Sequence, residues 1–192
     1  MRWRRRGLAD RMQREASSGT GPLSKYLGGD HERLGRLLQQ CSERPATAGG
    51  AAYNAFRAGL LRHIGIEEKL LFPVVRRLGD ASTVVNVVRL HKDHAALAAL
   101  LVPTPTPQIM RTIKSVLAEH NGLEEADGGL YEICDGPAAD ELRALVERVR
   151  NTPEARVAPH YDSAKVHENI RILLSAADQL VGAKPDLPGQ PR

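Results

Sequence analysis

The stretch HIGIEE, residues 63–68, recurs almost unchanged as HNGLEE, residues 120–125. In both copies a histidine precedes a glutamate by four residues, the spacing that places two side chains on one face of an α-helix. A second repeated pair, Asp-His, occurs at 30–31 and again at 93–94. The order along the chain is therefore DH, HxxxE, DH, HxxxE. This order predicts a metal site assembled from four helices.

The composition around these motifs favours a helical protein. The chain has 192 residues, of which 42% are hydrophobic and only 4% aromatic. Such a chain can bury one substantial core, and its Ala, Leu and Val content favours helices over a β-sandwich. The two cysteines, Cys41 and Cys134, do not form a CxxC motif, which is consistent with a reducing compartment.

The formal net charge of +4 is concentrated at the start of the chain. Residues 1–14 hold six arginines and one aspartate, and no apolar run follows them, so neither a signal peptide nor a membrane span is expected. Arginines beside a tryptophan could contact nucleic acid or an anionic membrane surface, but short basic termini are more often solvated. We expect residues 1–22 to form a basic tail, the protein to be cytoplasmic, and nucleic acid not to be a partner.

Apolar residues at helical spacing predict four long helices. The first begins at Asp30 as an N-cap, or earlier at Ser24 if Gly28-Gly29 is tolerated inside a helix. Pro73 should bend or end the second helix, and Gly128-Gly129 should kink the fourth. The predicted spans, in order, are 30–43 (or 24–43), 51–77, 81–102 and 108–133.

These spans predict an all-α, up-down-up-down four-helix bundle over residues 23–136. In such a bundle, residues equally distant from a shared turn lie at equal height, which brings the candidate ligands to one layer and places Cys41 and Cys134 on opposite sides of it. Residues 137–181 should form a C-terminal extension of two further helices, which either offer a surface to a protein partner or pack back on the bundle. Residues 182–192 are expected to be a disordered tail.

The candidate ligands suit a metal better than an apolar core. Imidazoles and carboxylates desolvated without partners would each cost on the order of several kcal/mol. Imidazole with carboxylate, and no thiolate, suits iron, manganese or zinc, and two carboxylates that can bridge suit a pair of ions. The third helix should direct both of its histidines inward. The candidates are His31, His63, Glu67, His91, His94, His120 and Glu124.

Together the four motifs resemble the hemerythrin-like (HHE cation-binding) family. The resemblance covers about residues 25–135 and is carried by DHERLGRLL, HIGIEEKLLFP, LHKDHAALAALL and HNGLEEADGGLY. It implies a non-haem di-iron centre whose two iron ions are joined by an oxo or hydroxo bridge. It also implies that Glu67 and Glu124 bridge these ions, and that His91 completes a set of five histidines. The remaining ligands that it implies are His31, His63, His94 and His120.

Two departures from the family pattern affect the ligand set. His91 and His94 are three residues apart, whereas the corresponding histidines of oxygen-carrying members are four apart, so either His91 binds with adjusted geometry or one position is open. The sequence EEADGGLYE replaces EEKLLFP after the second HxxxE, so either Glu124 or Glu125 is the ligand there.

Several acidic residues next to the candidates have alternative interpretations. Glu68 and Glu125 should lie outside the ligand set, as outer partners or in solvent. Asp30 and Asp93 could orient imidazoles from outside, but capping or solvation is the simpler interpretation.

The resemblance leaves three functions open. In the first, the reduced iron pair binds or senses a small diatomic ligand, oxygen or nitric oxide. In the second, the same centre is an enzyme that disproportionates or reduces peroxide. A role in iron binding or iron–sulfur cluster repair is the third, and it is disfavoured because the cysteine-containing N-terminal module of such members is not found here.

Overall fold

The computed structural model describes residues 21–43 and 50–182, and within these ranges the chain forms helices and loops without any strand. The predicted all-α class is confirmed. Residues 1–20 and 183–192, which carry most of the two expected tails, lie outside the described residues, as does Pro45 in the first expected loop. The helices are α1 Pro22–Glu43, α2 Ala51–Ile66, α3 Phe72–Leu78, α4 Ala81–Leu100, α5 Pro107–Glu124, α6 Leu130–Cys134, α7 Ala139–Arg150 and α8 Ala164–Gly182.

Helix α1 begins earlier than predicted because a distant residue caps it. The carboxylate of Asp135 accepts hydrogen bonds from the backbone N–H groups of Leu23 and Ser24, at 2.9 and 3.1 Å, and one from the Ser24 hydroxyl at 2.7 Å. These bonds satisfy donors that a helix start leaves without partners. Asp30 lies inside the helix, so the prediction that it is the N-cap was wrong, and its carboxylate is free for another role.

A π-helical turn, Glu67–Leu71, joins α2 directly to α3. Across it the N–H of Phe72 donates to the carbonyl of Glu67, five residues back. Pro73 follows immediately in α3, and a proline inside a continuous helix removes one backbone donor and crowds the preceding turn. The disturbance expected near Pro73 therefore takes the form of one widened turn, a feature often found at functional sites.

The predicted fourth helix is interrupted rather than kinked. Gly128 has φ +70°, a conformation that a residue with a β-carbon rarely adopts, and the N–H of Gly129 donates to the carbonyl of Ala126 at 2.7 Å. Helix α5 ends at Glu124 and α6 starts at Leu130. The direction of the chain is thus reset between the second HxxxE motif and Tyr131.

The buried apolar side chains form two separate clusters. We name them the Leu27 cluster and the Leu34 cluster. The Leu27 cluster contains Leu23, Leu27, Ile66, Leu71, Phe72, Val75, Val87, Leu90, Leu130, Tyr131, Cys134, Leu145 and Val149. The Leu34 cluster contains Leu34, Leu38, Cys41, Tyr53, Phe56, Leu60, Leu97, Leu100, Leu101, Ile109, Met110, Ile113 and Ile170. Cys41 and Cys134 thus lie in opposite clusters, as predicted.

The two C-terminal helices pack back on the rest of the protein. Leu145 and Val149 of α7 belong to the Leu27 cluster, while α8 packs along α4 and places Ile170 in the Leu34 cluster. The guanidinium of Arg62 donates to the carbonyls of Val149 and Thr152, at 3.1 and 2.8 Å. Of the two alternatives for this extension, the structure shows the packed one. Across the described ranges, every helix is too short or too polar to cross a membrane.

Candidate metal centre

Four histidines and two glutamates meet in a buried polar layer between the two apolar clusters. On each long helix the histidine follows residues of one cluster and precedes residues of the other, as His31 does between Leu27 and Leu34. None of the six side chains is exposed by more than 7%. The six residues are His31, His63, Glu67, His94, His120 and Glu124. The prediction that the candidates on different helices converge on one layer is confirmed for this set.

One half of the layer, the His31 half, takes its two histidines from α1 and α2. The Nε2 atoms of His31 and His63 lie 2.9 Å apart. Glu67 Oε1 is 3.0 Å from His63 Nε2, and Glu124 Oε2 is 3.4 Å from His31 Nε2. Two imidazole nitrogens and two carboxylate oxygens therefore point at one common position.

The other half, the His94 half, repeats this arrangement with α4 and α5. The Nε2 atoms of His94 and His120 are 3.2 Å apart. Glu67 Oε2 is 3.1 Å from His94 Nε2, and Glu124 Oε1 is 3.2 Å from His120 Nε2. Each glutamate thus directs one oxygen to each half, as a bridging carboxylate does. On the fifth helix it is Glu124, and not Glu125, that lies in the layer.

A carboxylate from outside the layer approaches the Nδ1 atom of every one of these histidines. Each carboxylate lies on a different helical segment from its histidine, so the four motifs interlock. The pairs are His31 with Glu125 at 2.5 Å, His63 with Asp30 at 3.0 Å, His94 with Glu68 at 2.8 Å and His120 with Asp93 at 3.5 Å. Partners at hydrogen-bond distance, as in the first three pairs, fix the tautomer and orientation of an imidazole and turn its Nε2 lone pair toward a metal. Asp93 contacts His120 at longer range, without an aligned hydrogen bond. Capping or solvation was the wrong interpretation of Asp30 and Asp93.

The structure does not bring His91 into the layer. Its side chain is 64% exposed, and its Nδ1 lies 2.8 Å from Glu68 Oε1, outside both halves. The buried stripe of α4 runs through Val87, Leu90, His94 and Leu97. His91 lies on the solvent side of that stripe, so its side chain points away from the layer. The prediction that both histidines of this helix face inward was wrong.

Tyr131 lies in the layer although sequence reasoning did not select it. Its side chain is fully buried, and its hydroxyl donates to Glu67 Oε1 at 2.7 Å. The hydroxyl oxygen of Tyr131 is also 3.1 Å from Glu124 Oε2, 3.0 Å from His31 Nε2 and 3.1 Å from His63 Nε2. The sequence does carry a signal for it, since each HxxxE motif is followed by a Leu-aromatic pair, LF at 71–72 and LY at 130–131.

The family model for the hemerythrin HHE cation binding domain matches residues 23–151. The chain belongs to this family. The matched region includes α7, which lies beyond the four-helix region that sequence motifs delimit. Comparisons with curated proteins and with solved structures gave no match.

In this HHE domain the carboxylates dominate the electrostatics of the layer. Burial alone would lower the pKa of His63, but the charge of Glu67 and the hydrogen bond to Asp30 outweigh it and raise the pKa to about 10. His120 behaves alike, since burial opposes protonation while Glu124 and Asp93 raise its pKa to about 10. Burial would raise the pKa of Glu67, yet the neighbouring His63 holds it well below its usual range.

The donor atoms of this HHE domain fit a pair of cations. Within the described part of the chain, Glu67 Oε2 and Glu124 Oε1 are buried without an aligned hydrogen-bond donor, although such oxygens are costly to bury unpartnered. In each half two Nε2 atoms face each other, so without a cation one must donate a proton to the other. A metal ion in each half would satisfy these oxygens and nitrogens together.

The metal-free HHE domain should lose stability as the pH rises from about 6.5 to about 10. His63 and His120 have raised pKa values in the fold, so the stability that their protonation contributes is complete below their ordinary pKa of 6.5 and is lost as the pH passes the folded value. Thermal unfolding of chelator-treated protein across this range measures the effect. A melting temperature that rises from pH 6.5 to 10 would contradict it.

Proposed function

We propose that this HHE domain binds two iron ions, one in each half of the layer. The observation that carries the proposal is the position of Glu67 and Glu124, each of which places one oxygen in either half. A single ion would need only one of these halves. The proposed ligands are His31, His63, Glu67 and Glu124 in the His31 half, and His94, His120 and the same two glutamates in the His94 half.

We propose iron as the ion that this donor set binds. Histidine and carboxylate ligands without thiolate suit iron, manganese and zinc, and the repeated sites share two bridging groups. Four outer carboxylates around the histidines add negative charge near the layer, which stabilises ions of higher charge. Iron meets these conditions. When bound to this HHE domain, it would supply redox chemistry and affinity for small diatomic molecules.

We further propose that the domain binds or senses a diatomic ligand, oxygen or nitric oxide, in the His94 half. His91 does not enter that half, so four protein atoms surround the proposed ion and at least one coordination position is left for an exogenous molecule. The chain itself positions the donors, holds their tautomers through the outer carboxylates, and excludes bulk water with the two apolar clusters. Peroxide consumption is the second candidate function, because the same free position would admit that substrate.

The described helices also support the proposed up-down-up-down order. Helix α1 runs from the Leu27 cluster to the Leu34 cluster, α2 returns, α4 repeats the first direction and α5 the second. Both cysteines are buried free thiols, which is consistent with the proposed reducing, cytoplasmic location.

Metal analysis combined with optical spectroscopy tests the proposal. Protein expressed with ample iron should contain close to two iron atoms per chain, and the anaerobically reduced protein should change its spectrum on mixing with oxygen or nitric oxide. Zinc alone after such expression would contradict the proposal. A change that reverses on degassing would favour a carrier, and sustained peroxide consumption would favour the enzyme. We expect rapid oxidation, because His91 does not close the His94 half.

A further inference from the structure

The hydroxyl oxygen of Tyr131 lies where a fifth ligand of one iron ion would lie. We propose that Tyr131 binds the iron of the His31 half as a phenolate, while the His94 half has no such ligand, so that the two ions are chemically different. This inference rests on the proposed di-iron centre. It adds to that centre a ligand that neither the HxxxE nor the Asp-His motif contains.

The distances around Tyr131 are those between neighbouring ligands of one ion. With metal–ligand bonds of about 2.1 Å, donor atoms at right angles lie about 3.0 Å apart. The phenol oxygen is between 2.7 and 3.1 Å from each of the four donors of the His31 half. Among those four donors, neighbouring atoms are separated by 2.9 Å (His31 to His63), 3.0 Å (His63 to Glu67) and 3.4 Å (His31 to Glu124). Four donors around a base with Tyr131 at the apex describe a square pyramid.

The repeat within the chain shows why only one half has this ligand. Phe72 and Tyr131 follow the two HxxxE motifs at the Leu-aromatic pairs. Phe72 stacks on His94, with ring centroids 5.5 Å apart and planes inclined by 5°, whereas Tyr131 contacts His31 at 5.6 Å and 40°. Phe72 has no oxygen to offer to the His94 half. The left-handed Gly128 allows the chain to end α5 and to reset its direction before Tyr131.

Binding of Tyr131 to iron is an acid–base step that needs no oxidant or reductant. In the metal-free layer the Tyr131 hydroxyl donates to Glu67. When iron binds, the O–H bond breaks, the oxygen lone pair forms the bond to iron, and the proton leaves to solvent, as for other ligands that metals deprotonate. A tyrosine oxygen is an established type of iron ligand in proteins. The phenolate gives the His31 half one protein donor more than the His94 half, so the exogenous ligand is directed to the His94 half.

Vibrational and optical spectra test this assignment directly. Iron(III) phenolates absorb visible light by charge transfer, and resonance Raman excitation in that band enhances the phenolate ring modes. The air-oxidised wild-type protein should show both signals, and Tyr131→Phe should lose both while retaining about two iron atoms per chain. Tyr53→Phe is the matched control, because Tyr53 is also buried but belongs to the Leu34 cluster, and its hydroxyl has no hydrogen-bond partner among the described residues.

The wild-type spectrum tests whether Tyr131 binds iron even if Tyr131→Phe does not fold. Growth on ring-deuterated tyrosine must shift the enhanced modes, and of the four tyrosines in the chain Tyr26 bonds Arg62 and Tyr161 is exposed. Two iron atoms per chain without phenolate modes would overturn the Tyr131 assignment and leave the di-iron proposal standing. The same modes persisting in Tyr131→Phe would also overturn it. Absence of bound iron would overturn both proposals.

Discussion

Glu67→Ala should remove both iron ions. Glu67 is fully buried and supplies one oxygen to each half of the layer, so the substitution deletes a ligand from both proposed ions at once. The metal-free variant should also be destabilised, by about 3 to 5 kcal/mol, because removing one partner leaves buried charged groups without compensation. Metal analysis of the purified variant and denaturant unfolding of its metal-free form measure the two effects.

Glu32→Ala is the matched control for this loss. Glu32 is adjacent to His31 in sequence, but its side chain is 76% exposed and forms an ion pair with Arg36, at 3.6 Å. Exposed pairs of this kind contribute little to stability, so the control should retain its iron and unfold like the wild type. Undiminished iron in Glu67→Ala would show that the glutamate does not bridge.

The regular part of the centre could be predicted because it depends on local periodicity. The HxxxE spacing fixes two donors on one helical face, and the similar distances of the motifs from their shared turns bring them to one height. Both relations hold whatever the rest of the chain does. The same reasoning separated Cys41 from Cys134, which lie in opposite apolar clusters.

The features that the sequence did not predict depend mainly on contacts between residues far apart in the chain. Asp135 caps α1 from the other end of the domain, and no local pattern at Asp30 reveals that the cap is already supplied. A continuous fourth helix places Tyr131 on the same face as His120 and Glu124, but about 10 Å beyond Glu124 at 1.5 Å per residue. The break at Gly128 resets the chain, and the Tyr131 hydroxyl lies in the layer. His91 was misplaced by one stripe position, since Leu90 and His94 occupy the buried face.

The outer carboxylates give the repeated motifs a meaning beyond ligand supply. Asp30, from an Asp-His pair, contacts the imidazole of His63 in an HxxxE motif. Glu68, which directly follows that motif, contacts His94 of the next Asp-His pair. Asp93 and Glu125 continue the pattern to His120 and back to His31. Each helix therefore orients a ligand on another helix. Because partners of this kind typically change metal affinity by about 10- to 100-fold, we infer that packing and metal loading are coupled.

His94→Ala should cost at least one of the two iron ions, whereas the neighbouring His91→Ala should retain both. His94 is buried, faces His120 across the His94 half and stacks on Phe72, so its loss leaves the proposed ion there with one imidazole. His91 is mostly exposed and reaches the centre only through Glu68. Its removal should alter the spectrum slightly through that carboxylate. Iron analysis of the two variants beside the wild type measures the contrast.

The outcome of this pair also distinguishes the two arrangements that the three-residue spacing permits. If His91 were a ligand in the loaded protein, α4 would have to rotate to bury it, and His91→Ala would then lose as much iron as His94→Ala. Equal losses would therefore contradict the ligand set proposed for the His94 half. Loss confined to His94→Ala would support four protein donors in that half and a coordination position open to an exogenous molecule, because His94 is the one of the two that lies between the apolar clusters.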